Sequence, residues 1–246
     1  MTQVLATYNI KGGVGKTSAA VNLAYLAARG GATALLWDLD PQGASTFLFR
    51  IRPKIRGGGR KLVRLKSDPS TLIKGTDHPG LDLLPADFSY RHMDLALDRF
   101  NHPTSRLALV LEPLRGEYEY IFLDCPPSIS LVSESVFGVA DALLVPIIPS
   151  TLSSRTFAQL SELVDGGPRV LAFFSLVDGR KRLHREVMER LRAERPSVLE
   201  TAIPSSVVVE RMGVERDVVA AFAPRSPAAL AYEALWGDVR RRLADE

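Results

Sequence analysis

The feature that most constrains this chain is a run of glycine and lysine near its start, Lys11-Gly12-Gly13-Val14-Gly15-Lys16-Thr17, with Ser18 following. An apolar run over residues 4–10 precedes it, and a helical pattern over Lys16–Arg29 follows. Glycines without Cβ atoms let consecutive backbone N–H groups turn toward one anion. A helix that begins at the end of such a turn adds the positive end of its dipole. A lysine in this position reaches the β- and γ-phosphates of a nucleotide, and a hydroxyl beside it ligates Mg²⁺. Strand before and helix after is the context that separates a phosphate loop from a chance glycine-rich turn.

The rest of the chain reads as the scaffold such a loop requires. Continuous apolar runs at residues 4–10, 32–38, 81–84, 120–124, 142–148 and 170–177, with a weaker one at 201–203, suit strands covered on both faces. Helical patterns alternate with them over residues 16–29, 87–100, 130–139, 156–164, 182–194 and 227–243. The expected fold class is therefore α/β: a doubly wound, mostly parallel sheet with helices on both faces, in one domain over residues 1–246. Residues 50–70, which contain Gly57, Gly58 and Gly59, and residues 207–225 read as irregular.

Acids stand at two strand ends, where α/β proteins bind ligands. The second strand runs into Asp38-Leu39-Asp40-Pro41-Gln42-Gly43, and residues 120–124 end at Asp124, followed by Cys125-Pro126-Pro127-Ser128. Asp124 suits Mg²⁺ ligation through water, and an acid at Asp38 or Asp40 suits orientation of an attacking water. Taken alone, a strand-end aspartate with a Pro-Gly turn is common; beside a phosphate loop it is a site. Cys125 reads as a small buried residue, since no histidine lies near it in the motif.

The loop departs from the usual pattern at one end, with Ile10 where a glycine is usual and a second lysine, Lys11, next to it. In this it resembles the deviant phosphate loop of the ParA/MinD ATPase family, on the ParA-like branch that includes carboxysome-positioning members. The resemblance continues through the segments at Asp40, at Asp124, at Val145-Pro146-Ile147-Ile148-Pro149 and at Ile203-Pro204-Ser205-Ser206-Val207. It implies ATP and Mg²⁺ as ligands, with Gly12, Gly13, Val14, Gly15, Lys16, Thr17 and Ser18 around the phosphates and Pro204 near the adenine. It implies Thr17, Asp38 and Asp124 at the metal, Asp40 as the residue that activates water, and Lys11 reaching the partner's nucleotide across an ATP-bound homodimer. Departures are Ser18 for threonine, Ala44 and Ser175 where asparagine is common, and Glu210-Arg211-Met212-Gly213 in place of an acidic-proline segment.

Charge is unevenly placed. The net charge is only +3, yet Arg50, Arg52, Lys54, Arg56, Arg60, Lys61, Arg64 and Lys66 fall in one stretch without an acid, and the remainder is net acidic. The stretch is expected as a mobile basic loop or hairpin, part of which Ile51, Ile55, Leu62, Val63 and Leu65 can dock; its plain reading is an insertion kept soluble by charge, its sharper one a contact for nucleic acid or an acidic partner. The family resemblance adds a basic loop at Arg180, Lys181, Arg182 and Arg185, whose plain reading is a solvated helix start. These residues, with Arg56, Arg60 and Lys61, are the candidate contacts to DNA.

The leading functional expectation is an ATPase that binds nucleoid DNA without sequence preference and positions or partitions a cargo. A cargo-linked partner would stimulate hydrolysis. Since only one strand stands before the phosphate loop, sequence-specific operator reading is not expected. One cysteine excludes a disulfide framework and an iron–sulfur reductase. Residues 1–10 are too short for a signal peptide, and no apolar run spans a bilayer, so the expectation is a cytoplasmic, nucleoid-associated protein with no integral membrane association. A MinD-like membrane-surface ATPase is the second reading. The stripe Leu235, Trp236, Val239, Leu243 is more simply core packing. An ATP-dependent amide-forming or carboxylating enzyme on the same fold is the third.

Overall fold

The computed structural model describes residues 1–244. The seven apolar runs become strands, and a short edge strand the sequence did not signal, Lys74–Gly75, makes eight: β1 Gln3–Thr7, β2 Ala34–Asp38, β3 Lys74–Gly75, β4 Leu81–Leu84, β5 Tyr120–Asp124, β6 Ala142–Ile147, β7 Arg169–Val177 and β8 Val198–Pro204. They form one sheet in the order β3-β4-β2-β5-β1-β6-β7-β8, and every pair is parallel except the short edge pair β3–β4. The doubly wound, mostly parallel sheet expected from the sequence is what forms.

Successive side chains of each strand feed opposite faces. Val4, Ala6, Leu35, Trp37, Ile121 and Leu123 enter one core layer, while Leu5, Leu36 and Phe122 enter the other. The second layer is covered by α1 Lys16–Arg29 and by α12 Pro227–Ala244. Leu235, Trp236 and Val239 of α12 are buried there, so the apolar stripe of the last helix is core packing. The first layer is covered by α3 Gly58–Val63, α4 Met93–Leu97, α5 Arg106–Leu111, α6 Leu131–Phe137, α7 Thr151–Leu163 and α8 Arg182–Glu194. One further short helix, α2 Ala44–Leu48, follows β2, and three more, α9 Val207–Glu210, α10 Met212–Glu215 and α11 Val219–Phe222, connect β8 to α12.

Boundaries differ from the sequence reading in ways that side chains explain. Residues 87–100 are not one helix. A 3₁₀ turn over Phe88–His92 leads into α4, because the Asp87 side chain accepts from Ser89 N and starts the turn locally. Helix α7 begins five residues earlier than periodicity alone suggests, since Ser150 caps it by accepting from Ser153 N. The strand read at 201–203 extends over seven residues.

The larger correction concerns residues 50–66, expected as a mobile loop or hairpin docked at most in part, with no helix across the glycines. They are docked, and α3 runs through the glycines. Gly57 and Gly58 have φ of 91° and 66°, which a side chain resists. Cβ atoms on Gly58 and Gly59 would lie 2.7 Å from Ser89 Oγ and 2.7 Å from Tyr90 Cδ1. The glycines are there for close approach to the 3₁₀ turn, not for freedom. Ile55, Leu62 and Val63 are buried, and the ends are tied: Ile55 N donates to Asp87, Gly59 N to Ser89 Oγ, and the Arg106 guanidinium to Val63 O.

Candidate functional site

Strand β1 lies between β5 and β6, where the chain's winding reverses direction; a crevice opens at the carboxyl ends of strands at such a place. Thr7 and Asp38 both stand in register with Asp124, so three polar side chains meet at one level of three adjacent strands. All three are buried.

The loop from β1 to α1 is shaped by its own side chains. Asn9 donates to Pro146 O at 2.8 Å and accepts from Lys11 N at 2.9 Å, which anchors the first turn to β6. Gly13 and Gly15 have positive φ, and Gly15 is the N-cap of α1. A Cβ on Gly12 or Gly13 would meet open space, so the concave side of the loop is clear for an anion. A Cβ on Gly15 would lie 2.8 Å from Ser175 Oγ, so the loop is pressed against β7. Val14 is buried, leaving its backbone as the part that faces a ligand.

Lys16 is buried, and its Nζ donates to the Lys11 carbonyl at 2.9 Å across the mouth of the loop. Burial lowers its pKa, opposed by the charges of Asp124 and Asp40. Asp124 accepts from Ser45 Oγ at 2.7 Å, and Asp38 accepts from Thr46 N and Thr46 Oγ1 at 2.8 and 2.7 Å. Burial raises both carboxylates above their usual range, and for Asp38 the neighbouring Asp124 adds to the rise. Hydrogen bonds from Ser45 and Thr17 and the charge of Lys16 hold Asp124 back. Two buried carboxylates and a hydroxyl form a hard oxygen donor set with negative charge to be neutralised, which fits Mg²⁺. Asp40 is partly exposed on the wall of the cleft, its carboxylate oriented by Gln42 N at 2.9 Å.

The cleft beside these groups, lined by Lys16 and Asp40 but not by the buried Asp38 and Asp124, has a volume of about 820 Å³, within the range of small-molecule and cofactor sites. Gly12, Gly13, Gly15, Lys16, Thr17, Ser18 and Asp40 share it, as the sequence reading requires. Lys11 is exposed, and neither it nor Pro204 is among the lining residues. Pro204 ends β8 opposite Val177, and the wall on that side is made by Leu176, Val209, Met212 and Arg216. Ser175 is buried behind Gly15 rather than facing the cleft. Cys125 is a buried thiol, with its pKa pushed up by burial.

Sequence reasoning missed a clasp at the side of the cleft. Arg216 Nε donates to Phe47 O at 3.0 Å, and its guanidinium lies 4.5 Å over the Phe47 ring. In return Arg50 donates to Glu215 O at 2.9 Å and pairs with Asp77. Both arginines hold left-handed backbone, at φ 51° and 59°. The clasp ties the segment after Asp40 to the segment after β8. No local motif signals it, because its partners are 165 and 169 residues apart.

The basic groups lie in two places. Arg180, Lys181, Arg182 and Arg185 follow the carboxyl end of β7 and are exposed. Arg180 is bound to Asp178, Arg182 to Glu186, and Arg185 to Gly179 O. Arg56, Arg60 and Lys61 are exposed on and before α3.

Residues 2–166 match the family model described as an AAA domain. The chain is similar to the chromosome-partitioning ATPase Soj of Thermus thermophilus, at 35% identity over 98% of this chain and 96% of that one. It is similar to the chromosome partitioning protein ParA of Caulobacter vibrioides, at 32% identity over 84% and 82%. Among solved structures it is similar to a cobyrinic acid a,c-diamide synthase from Mycobacterium smegmatis with a bound ATP analogue and magnesium, at 26% identity and a TM-score of 0.82, covering 100% of this chain and 97% of that one.

Proposed function

This chain belongs to the AAA-domain family and to the ParA/Soj group of partitioning ATPases within it, and from that premise we propose that it hydrolyses ATP to drive a cycle of dimerisation and DNA binding that positions a cargo. The observation that carries the reading is the register of β1, β2 and β5. That register sets Asp38 and Asp124 side by side at the strand ends from which the phosphate loop starts, next to the cleft that Lys16, Thr17 and Asp40 line, and this supports the reading. ATP and Mg²⁺ supply the transferable phosphoryl group and the positive charge that neutralises it in the transition state.

The chain's own residues do the positioning. Backbone N–H groups of residues 12–17 cradle the phosphates, and Lys16 exchanges the Lys11 carbonyl for a phosphate oxygen. Thr17 and Asp124 would hold the metal, supported by Asp38, whose carboxylate is oriented by Thr46. Asp40 orients the water for in-line attack. Lys11, exposed at the rim, acts in a second protomer's site.

DNA binding rests on Arg180, Lys181, Arg182 and Arg185, which follow a strand end on the side of the sheet that carries the cleft, and on Arg56, Arg60 and Lys61. An otherwise acidic body repels DNA unless such groups face it. The protein works in the cytoplasm on the nucleoid, and a cargo-bound partner stimulates turnover. The test is anisotropy of a random-sequence duplex with ATP and with ADP, alongside size-exclusion chromatography. Retention and dimer formation should require ATP and be lost in Lys11→Ala. Equal retention in both nucleotides refutes the cycle.

A second reading, an ATP-dependent amide-forming enzyme, is favoured by the likeness to the diamide synthase. Turnover stimulated by a small carboxylic acid and an amide donor, but not by DNA and a partner, would select it. A membrane-surface role has less support. Among the described residues no helix is long and apolar enough to cross a membrane, and the stripe on α12 is occupied by the core.

A further inference from the structure

A second cleft, of about 740 Å³, lies behind the first. Its floor is apolar, formed by the buried side chains of Ile55 and Leu72. Its rim is cationic: Arg52, Lys54 and Arg56 from the segment before α3, and Lys74 from β3. All four are exposed, and none is in a salt bridge among the described residues. Asp87, beside Lys54, is turned inward, with its oxygens on Ile55 N and Ser89 N. Strand β3 is the edge of the sheet, so its outer side meets no further strand among the described residues.

We propose that this cleft binds an acidic peptide segment of a partner protein, carrying an apolar side chain between its carboxylates, and that its occupation alters ATP turnover. The coupling half rests on the function proposed above. The chemistry favours a peptide over a nucleic acid. A duplex presents a charged backbone that pairs with the rim but leaves the apolar floor unfilled. An extended peptide alternates its side chains, so carboxylates meet the rim while an apolar group buries on Ile55 and Leu72. The open edge of β3 offers backbone groups to the same strand.

The two clefts share a wall. Ile51 lines both, and Pro53 lines the first cleft, its Cβ 3.2 Å from where a Cβ on Gly43 would sit. Gly43 closes the turn that begins at Asp40, through its N–H on Asp40 O at 2.9 Å. A side chain inserted on the far side of Ile51 therefore presses on the segment that sets Asp40.

The test uses the full chain without nucleotide and a fluorescein-labelled synthetic peptide alternating glutamate with leucine, read by anisotropy. Saturable binding is expected, weakening with added salt, and a lysine–leucine peptide should not compete. Arg52→Ala/Lys54→Ala/Lys74→Ala should weaken binding at least about tenfold, the scale for losing charge-assisted contacts, while fluorescent-ATP affinity is retained. Lys74→Glu alone, an exposed change, should weaken it too and guards against misfolding of the triple variant. Equal peptide affinity in both variants overturns the site. Failure of the wild type to bind the peptide, with duplex retention lost in the triple variant, overturns it in favour of a nucleic-acid contact. Binding with unchanged ATP turnover at saturating peptide refutes the coupling alone. Absence of any ATP turnover refutes the function proposed above and leaves the anisotropy result standing.

Discussion

Replacing Gly59 with alanine separates a docked α3 from a mobile loop, because the two assign opposite signs to the change. In a free helix the substitution stabilises by about 1 kcal/mol, since glycine is the poorer helix former. Here the new methyl group would lie 2.7 Å and 3.0 Å from Tyr90 Cδ1 and Cε1, and 3.1 Å from Met93 Cε. The methionine end can swing away, but the Tyr90 ring cannot. It is buried, and its hydroxyl donates to Pro85 O and accepts from Trp37 Nε1, both at 3.3 Å. Overpacking against a fixed neighbour costs roughly 1–3 kcal/mol, and a ring carbon only 2.7 Å away draws on the upper half of that range, so after the propensity gain Gly59→Ala should lose about 1–2 kcal/mol. For a chain of this length that lowers the melting temperature by roughly 2–8 °C. Urea unfolding followed by tryptophan emission reads it directly, since Trp37 touches the same tyrosine. An unchanged or raised urea midpoint would show that the glycines are not packed against the 3₁₀ turn.

Three further outcomes follow from the cleft. Lys16→Ala removes the one buried ammonium of the loop and should weaken ATP binding by about a hundredfold, in line with roughly 3 kcal/mol for a charge-assisted bond; wild-type affinity by fluorescent-nucleotide titration would show the loop misassigned. Asp40→Ala should bind ATP normally while turnover falls at least about a hundredfold and the dimer persists, and unchanged turnover would move the role elsewhere. Without metal, stability should fall as pH rises from about 4 toward 8, because Asp38 has its pKa raised to about 8 and the folded state holds the proton that the unfolded chain releases first. Mg²⁺ with ATP should flatten that slope, and a metal-free midpoint that rises over the window is the contrary result.

The sheet and the phosphate loop were legible because each rests on a local pattern. Continuous apolar runs ending in Asp38 and Asp124 mark buried parallel strands, and glycines between a strand and Lys16 mark an anion cradle. What local pattern cannot show is contact at distance. Glycines at 57–59 read as irregular chain because the Tyr90 ring that requires them is some thirty residues away. The basic stretch read as loose for the same reason, since Asp87 and Arg106 pin it from other elements. The wall beyond β7 that Val209, Met212 and Arg216 make was not legible, because three short helices, each a single turn, carry little periodicity, and their geometry is set by what they pack on.

The single cysteine offers a use that has nothing to do with the reaction. Cys125 follows Asp124 directly, buried in the core layer with its N–H on Thr7 O. Its sulfur is the only thiol in the chain, and burial keeps it protonated and unreactive. An alkylating reagent can reach it only when β5 and its neighbours part. The natural protein thus carries its own clock for opening at the centre of the sheet. With fast reclosure, the rate of labelling measures the free energy of that opening. No label need be engineered, and ligands, partners and substitutions can all be ranked by how far each one slows the clock.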